Sequence, residues 1–566
     1  MRVRPTSVVN DIAELYNQYK NHCVELIDEF IQSGELNRSE GRKIQTIALF
    51  YNRYRNGGVE RVISLLMPLY IEMGYRVVLI TEENATSDDY EMPKGVKRYT
   101  ICNTQSIANG GCDYKERAQQ LVDIFECENI DVLINHASSS PIMFWDMLTA
   151  KLKGIHCILV KHELFTQENT YFQSYTKQYI EMFLLFDKIV VLSETEKMFW
   201  KVYGIEAEYI YNPINEVNQV IPMQERKNIV WVGRFDMKQK RYIDVVPIMK
   251  EVVKEYPDIK LIMYGKGSSI DKKIISEEIN QSGLQDNIIL AGYETSVEKI
   301  YKNARIHLVT SAFESFGMNI LESRILGIPT VLYEMPYLEL LKEGKGYIGV
   351  EYKDYSAAAK GIIKILSDKE LEEKMSEDAI ESINGFTKTD LMNRWKTLFT
   401  SLETNSCKGK EAKVDCDMAR IFDVFIKHYN ISREKHNALV EAYDEQTLEK
   451  LLSFVKNQKD INGRGVVIYP FGKYGVHIAK YLEKNNVTID YVIDNNRVNG
   501  KYKIIKLEEL SKYNCEDYIY ILSNGNSEIY DELRDGIRKY VKPENIYDIF
   551  SEEVMMKNIK EGILMA

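Results

Sequence analysis

Cysteine is scarce and shows no pairing pattern: eight residues, at positions 23, 102, 112, 127, 157, 407, 416 and 515, with no Cys-x2-Cys spacing. That argues against a disulfide frame or a cysteine zinc site and reads as the reduced thiols of a cytosolic protein. Positive charge is also in deficit, with 73 Lys and Arg against 84 Asp and Glu and a formal net charge of −11. Nucleic-acid binding rests on phosphate neutralisation by an excess of cations, so the balance argues against that class. No apolar run approaches the roughly 18 residues of a membrane span. The start, Met1-Arg-Val-Arg-Pro-Thr-Ser-Val-Val-Asn10, lacks the apolar core of a signal peptide. The expected location is therefore cytoplasmic. No His, Asp or Glu cluster has metal-ligand spacing, and no bound metal is expected.

What is present is a chain of 566 residues, 45% hydrophobic and 28% charged, long enough for three or more globular domains. Residues 1–43 form an N-terminal helical segment. In it Val9, Ile12, Tyr16, Tyr19, Cys23, Leu26 and Phe30 alternate spacings of three and four over 8–31. That seam either packs on its own chain or joins two copies in a homo-oligomer. From 44 to 218 and again from 219 to 402, short apolar runs alternate with helical stretches, the pattern of an α/β fold with parallel sheets covered on both faces. Thr46-Ile-Ala-Leu-Phe-Tyr51 and Tyr75–Ile80 open the first set; Val132–Asn135, Cys157–Lys161 and Lys188–Leu192 follow. The second begins at Asn228-Ile-Val-Trp-Val-Gly-Arg234, with further strands expected at Ile259–Tyr264, Ile288–Leu290, Arg305–Thr310 and Thr330–Tyr333. Residues 403–460 read as a charged helical linker. A third, small Rossmann-like unit covers 461–566, beginning Val466-Val-Ile-Tyr-Pro-Phe-Gly-Lys-Tyr-Gly475, where Pro470 stands in place of the first glycine of a dinucleotide fingerprint. Its reading is a structural or docking role ahead of cofactor binding.

The most informative stretch is Ser311-Ala-Phe-Glu-Ser-Phe-Gly-Met-Asn-Ile-Leu-Glu-Ser323. A strand, a small-residue loop and a helix start present backbone N–H groups and the positive end of a helix dipole to an anion, phosphate above all. Glu314 and Glu322 would repel a phosphate, so they suit hydroxyl groups beside it. A guest with a phosphate between hydroxyl-rich rings is a nucleotide sugar. Gly233-Arg234 ends another strand and Lys240 follows six residues on, two cations that can neutralise a diphosphate, with Arg241 an alternative to Lys240. Gly57 and Gly58 open a helix directly after the first strand, and Gly265-Lys-Gly267 ends a third. His162 follows the run Cys157–Lys161, and His136 follows Asn135 as a weaker candidate.

Two Glu residues with seven between them around Ser-Phe-Gly resemble the nucleotide-sugar motif of the retaining family 4 glycosyltransferases. Val-Gly-Arg234, Lys240 and Asn-Gly-Gly-Val-Glu-Arg61 resemble that family's other motifs. The resemblance implies a GT-B fold: two facing Rossmann-like halves, an acceptor half and a nucleotide-sugar half, with a closing helix near Leu391–Leu402. It implies metal-independent hexosyl transfer with retention, in cell-surface polysaccharide synthesis, to a glycan or lipid-linked acceptor, with peripheral contact to the inner membrane face. By the same resemblance Arg234 and Lys240 neutralise the diphosphate, and the N–H groups of Phe316, Gly317 and Met318 hold the phosphates. Glu314 meets the sugar and Glu322 the ribose; Gly57, Gly58, Gly233 and Gly265 line the nucleotide sugar; His162 lies by the reacting face. No cofactor is implied beyond the sugar nucleotide as substrate. Two other readings stay open: a nucleotide-sugar epimerase of the same fold, and a non-catalytic sugar-nucleotide-binding subunit.

Overall fold

The computed structural model describes residues 8–19, 23–33, 43–55, 57–108, 112–137, 142–164, 182–202, 204–214, 221–404, 445–495, 501–525 and 527–551. They form three parallel sheets. The first has strands β1 (Thr46–Phe50), β2 (Arg76–Thr81), β3 (Lys97–Thr100), β4 (Val132–Asn135), β5 (His156–Val160), β6 (Lys188–Val191) and β7 (Ala207–Tyr209), in the order β3-β2-β1-β4-β5-β6-β7. The second has β8 (Asn228–Val232), β9 (Leu261–Tyr264), β10 (Ile288–Gly292), β11 (Ala304–Val309), β12 (Thr330–Tyr333) and β13 (Tyr347–Val350), ordered β10-β9-β8-β11-β12-β13. The third has β14 (Gly465–Tyr469), β15 (Tyr491–Ile493), β16 (Ile504–Ile505), β17 (Tyr518–Leu522) and β18 (Ile546–Asp548), ordered β16-β15-β14-β17-β18.

The order explains which strands were legible. β1, β4 and β5 are buried at every position because helices cover both faces, so they read as unbroken apolar runs. In the first two sheets the strands missing from the sequence reading are β3, β7 and β13, and each lies at a sheet edge; in the third unit β16, β17 and β18 were not named, although β17 lies inside its sheet. Lys97-Arg-Tyr-Thr100 has no buried residue at all, so nothing in its pattern separates it from a loop.

The single helix expected over 8–31 is two helices, Val8–Tyr19 and Cys23–Ser33. Ile12, Leu15, Leu26 and Ile27 all enter the core of the first half. Tyr16 stacks on Tyr114 at 4.6 Å and meets Trp145 edge-on at 5.3 Å. That part of the seam is therefore spent on its own chain; the side chains of Cys23 and Phe30 lie outside the described residues. The linker expected over 403–460 falls partly outside them too, and its described end is the helix Glu445–Asn462.

Packed aromatic and apolar contacts tie the halves together. The closing helix, Lys388–Thr404, sets Trp395 edge-on to Tyr70 at 5.3 Å and Phe399 against Tyr75 at 5.1 Å, joining the end of the chain's second half to the first. Phe316 and Ile320 of the second half share a core with Tyr54 and Ile63 of the first. The third unit docks on the second half: Asp531 accepts from the N–H of Ser269 at 3.1 Å and from its hydroxyl at 2.7 Å. Among the described residues no helix is long and apolar enough to cross a membrane.

One close approach fixes the second sheet's upper rim. A Cβ on Gly265 would lie 1.8 Å from the Gly233 carbonyl oxygen, inside any permissible contact. Because the obstacle is backbone, Gly265→Ala is expected to destabilise the protein by about 2 kcal/mol or more, read as a lower midpoint in denaturant unfolding.

Candidate functional site

The parallel strands of the second half point their carboxyl ends at the first half, where ligands of such sheets sit. After β8 the chain passes Gly233 and Arg234 into a turn built on Asp236. The Asp236 carboxylate accepts from the N–H groups of Lys238 at 2.7 Å and Gln239 at 3.0 Å. A hydrogen-bond chain pins this turn to the end of β11. The Trp231 indole donates to the Thr310 hydroxyl at 2.9 Å, which donates to the Lys240 carbonyl at 2.8 Å. The Ala312 N–H donates to the Gln239 carbonyl at 2.7 Å. The turn therefore brings Lys240 onto Glu314, and the ammonium and carboxylate are directly paired. Arg241 goes the other way. Its φ of 49° turns it back, and its guanidinium holds Asp244 at 2.8 Å and the Met237 carbonyl at 3.1 Å. Of the two cations the sequence left open, Lys240 is the one aimed at the acids.

Beyond Glu314, Gly317 caps the helix Met318–Ile325 with φ 83°, a left-handed conformation that glycine adopts without strain. The first N–H groups of that helix have no partner within it. Glu322, on the same helix, is buried, and burial pushes its carboxyl above the usual range against the charges of Arg61 and Lys240. Arg234 is the exposed member of the set, 3.7 Å from Asp236 and 3.3 Å from Gln239.

The facing wall comes from the first half. Gly57 is the N-cap of the helix Gly58–Glu72, in an extended conformation, and a Cβ there would meet the Glu60 carboxylate at 1.9 Å. Arg53 pins that carboxylate at 2.7 Å. One turn into the helix, Arg61 reaches across and holds Glu322 at 3.1 Å. The Tyr90 hydroxyl donates to the Gly57 carbonyl at 3.3 Å and lies by Tyr293 of the second half. Ser315 donates its hydroxyl to the His162 carbonyl, a second bond across the cleft. Contacts thus link residues 57–61 and 162 of the first half to 314–322 of the second, and 233–240 to Glu314 within the second, with Gly265 packed on Gly233.

Two family profiles match this chain: "Glycosyltransferase Family 4" over residues 56–217 and "Glycosyl transferases group 1" over 215–382, together more than half its length. The chain belongs to the family 4 glycosyltransferases. Members of this family retain configuration and work without a bound metal. Among curated relatives, the Bacillus subtilis poly(glycerol-phosphate) α-glucosyltransferase is 24% identical over 292 residues, 49% of this chain and 42% of that protein. The Staphylococcus aureus poly(ribitol-phosphate) α-N-acetylglucosaminyltransferase is 24% identical over 311 residues, 54% of this chain and 62% of that one. The chain therefore matches about two fifths to three fifths of these relatives' own length. Among solved structures, S. aureus TarM in a complex that includes UDP superposes with a TM-score of 0.53 at 16% identity, over 63% of this chain and 100% of that one. Anabaena HepE with UDP and glucose gives 0.52 at 13% identity, over 63% and 99%. Both likenesses show the GT-B fold.

In this family 4 member the two histidines form a pair that their sequence positions did not reveal. His136 Nδ1 and His162 Nε2 are 2.8 Å apart, so one ring donates to the other. Burial drives both toward the neutral form, His162 down to about 3 with Lys161 adding to the shift, and His136 well below its ordinary value. Neither ring can then act as an acid–base group near neutrality. The pH profile of kcat/KM is expected to show no imidazole inflection between pH 5 and 8. Stability follows the same sign. The unfolded rings take up protons below about pH 6.5 while the folded ones do not, so melting temperature should fall as pH drops from about 6.5 toward 5.

Three contributors were missed from sequence. Arg61, Gln239 and Ser315 stand within quoted motifs, but only the fold reveals their partners. Arg61 carried a usable signal: it lies three residues after Gly58 on a helix, hence on the side where that helix begins.

Proposed function

We propose that this chain transfers a glucosyl or N-acetylglucosaminyl group from a UDP-sugar to a polyol-phosphate polymer or a lipid-linked glycan at the inner membrane face, with retention of configuration. The observation that carries the reading is the set of acids and cations that the two halves bring together. Two buried acids, each matched to a cation, flank an amide-rich helix tip, with Arg234 and the Gly57-Gly58 turn facing them. In this reading the N–H groups of Phe316, Gly317 and Met318 hold the diphosphate. Arg234 and Lys240 stabilise the negative charge that grows on the β-phosphate as the anomeric bond breaks. Glu314 accepts hydrogen bonds from the sugar, and Glu322 from the ribose diol. The departing phosphate oxygen takes the proton of the acceptor hydroxyl on the same face of the sugar, which gives retention. His162, neutral, positions the sugar through a hydrogen bond and moves no proton. The acceptor chemistry is suggested by the two polyol-phosphate transferases among the relatives.

The test incubates the protein with UDP-glucose or UDP-N-acetylglucosamine, with and without poly(glycerol phosphate), poly(ribitol phosphate) or a lipid-linked glycan. The anomeric configuration of the product is then read by NMR. Acceptor-dependent release of UDP with an α-linked product is expected. Conversion of the sugar nucleotide to an isomer without acceptor would replace transfer by epimerisation. Tight UDP binding without turnover on any acceptor would make the chain a binding subunit.

A further inference from the structure

The ion pair between Arg61 and Glu322 joins the two halves of the molecule at the acid assigned to the ribose. We propose that Arg61 is a positioning residue for that acid: it holds the Glu322 carboxylate from across the cleft, so the ribose diol is recognised only when both halves contribute. The inference rests on the UDP-sugar reading above.

Glu322 alone is poorly suited to accept two hydroxyl hydrogen bonds. It is 6% exposed, and a carboxyl so placed favours its protonated form, which accepts fewer of them. The groups that face it are Arg61 at 3.1 Å, the ammonium of Lys240, and the Tyr301 hydroxyl, itself turned to the Asn319 carbonyl at 3.0 Å. Lys240 is already paired with Glu314, which leaves Arg61 as the cation in direct contact with Glu322. Arg61 is mostly buried, and Glu298 and Glu322 both bear on it. Arg61 comes from the first half, and Glu322 from the second. A guanidinium satisfies one face of a carboxylate in its plane and leaves the other lone pairs for a diol, a geometry that lysine's point charge does not impose. Separating the halves would remove the cation and leave Glu322 without its orienting partner, so nucleotide recognition is linked to the seating of one half on the other.

The experiment measures binding of UDP and 2′-deoxy-UDP by calorimetry to the full-length wild type, Arg61→Gln, Arg61→Lys, Glu322→Gln and the Arg61→Gln/Glu322→Gln double variant. The wild type is expected to prefer UDP at least tenfold. Arg61→Gln and Glu322→Gln should each reduce that preference to less than about threefold, and the double variant should lose no more than either single one, the mark of two groups acting as a unit. Arg61→Lys should restore part of the preference. In Arg61→Gln, UDP affinity should weaken more steeply than in the wild type as pH falls from 8 to 6, because the buried carboxyl then takes up a proton at a higher pH. The ionisation of UDP itself is common to both proteins. Undiminished preference in Arg61→Gln, or additive losses in the double variant, would overturn the positioning role while UDP binding stands. Absence of UDP binding by the wild type would bring down the UDP-sugar reading and this inference with it.

Discussion

Arg234→Ala is expected to lower sugar transfer at least a hundredfold with no change in melting temperature. Its side chain is 57% exposed, and it lies 3.7 Å from Asp236. Exposed pairs of this kind contribute about 0–1 kcal/mol to stability, so a side chain this exposed is expected to matter little to the melting temperature. Its place beside Gly233 and next to Gln239, which itself reaches Glu314, suits a charge that matters only when a diphosphate is present. Losing one preorganised group that stabilises developing charge costs about 2.7–4 kcal/mol in the transition state, or roughly a hundred- to a thousandfold in rate. Arg234→Lys should recover only part of it, since a point charge cannot reproduce a planar two-pronged contact. Initial rates with a UDP-sugar and acceptor, beside a thermal scan, decide the matter. A rate within tenfold of wild type would remove Arg234 from the site.

Lys240→Ala is expected to do both kinds of damage. Its ammonium and the Glu314 carboxylate are paired with side chains 15% and 7% exposed. Removing the lysine strands a buried carboxylate, so unfolding free energy should fall by about 2–3 kcal/mol, below the range for fully interior pairs because some solvent reaches the lysine. Transfer should also drop at least a hundredfold, because in the proposed function the same cation faces the phosphate oxygens. A second substitution separates the effects. Lys240→Met combined with Glu314→Gln removes the uncompensated charge and should restore most of the melting temperature while leaving transfer abolished. If the double variant recovered activity as well, Lys240 would be a structural partner of Glu314 and nothing more.

The contrast between these cations shows how far residues alone could be read. Gly233-Arg234, Lys240 and the Glu314–Glu322 spacing were visible because each follows a short, largely apolar strand bounded by turn residues. Whether Lys240 or Arg241 faces the acids was not visible. It depends on a left-handed residue at 241 and on a turn held by Asp236, which orient adjacent cations in opposite directions. The seam over 8–31 was similarly ambiguous. Apolar spacing shows that a face must be covered but not by what, and the fold covers it with Tyr114 and Trp145 of the same chain.

Read without coordinates, the chain already determines its α/β class, its two nucleotide-type halves and the sets of acids, cations and glycines at strand ends, because alternating apolar runs and turn residues are local signals. Tertiary structure alone decides which of these meet. Arg61 on Glu322, His136 on His162 and Ser315 on the His162 carbonyl are contacts between segments 26 to 261 residues apart. No period or spacing encodes such distances; the histidine pair follows from the pairing of β4 with β5, and the other two from the seating of one half on the other.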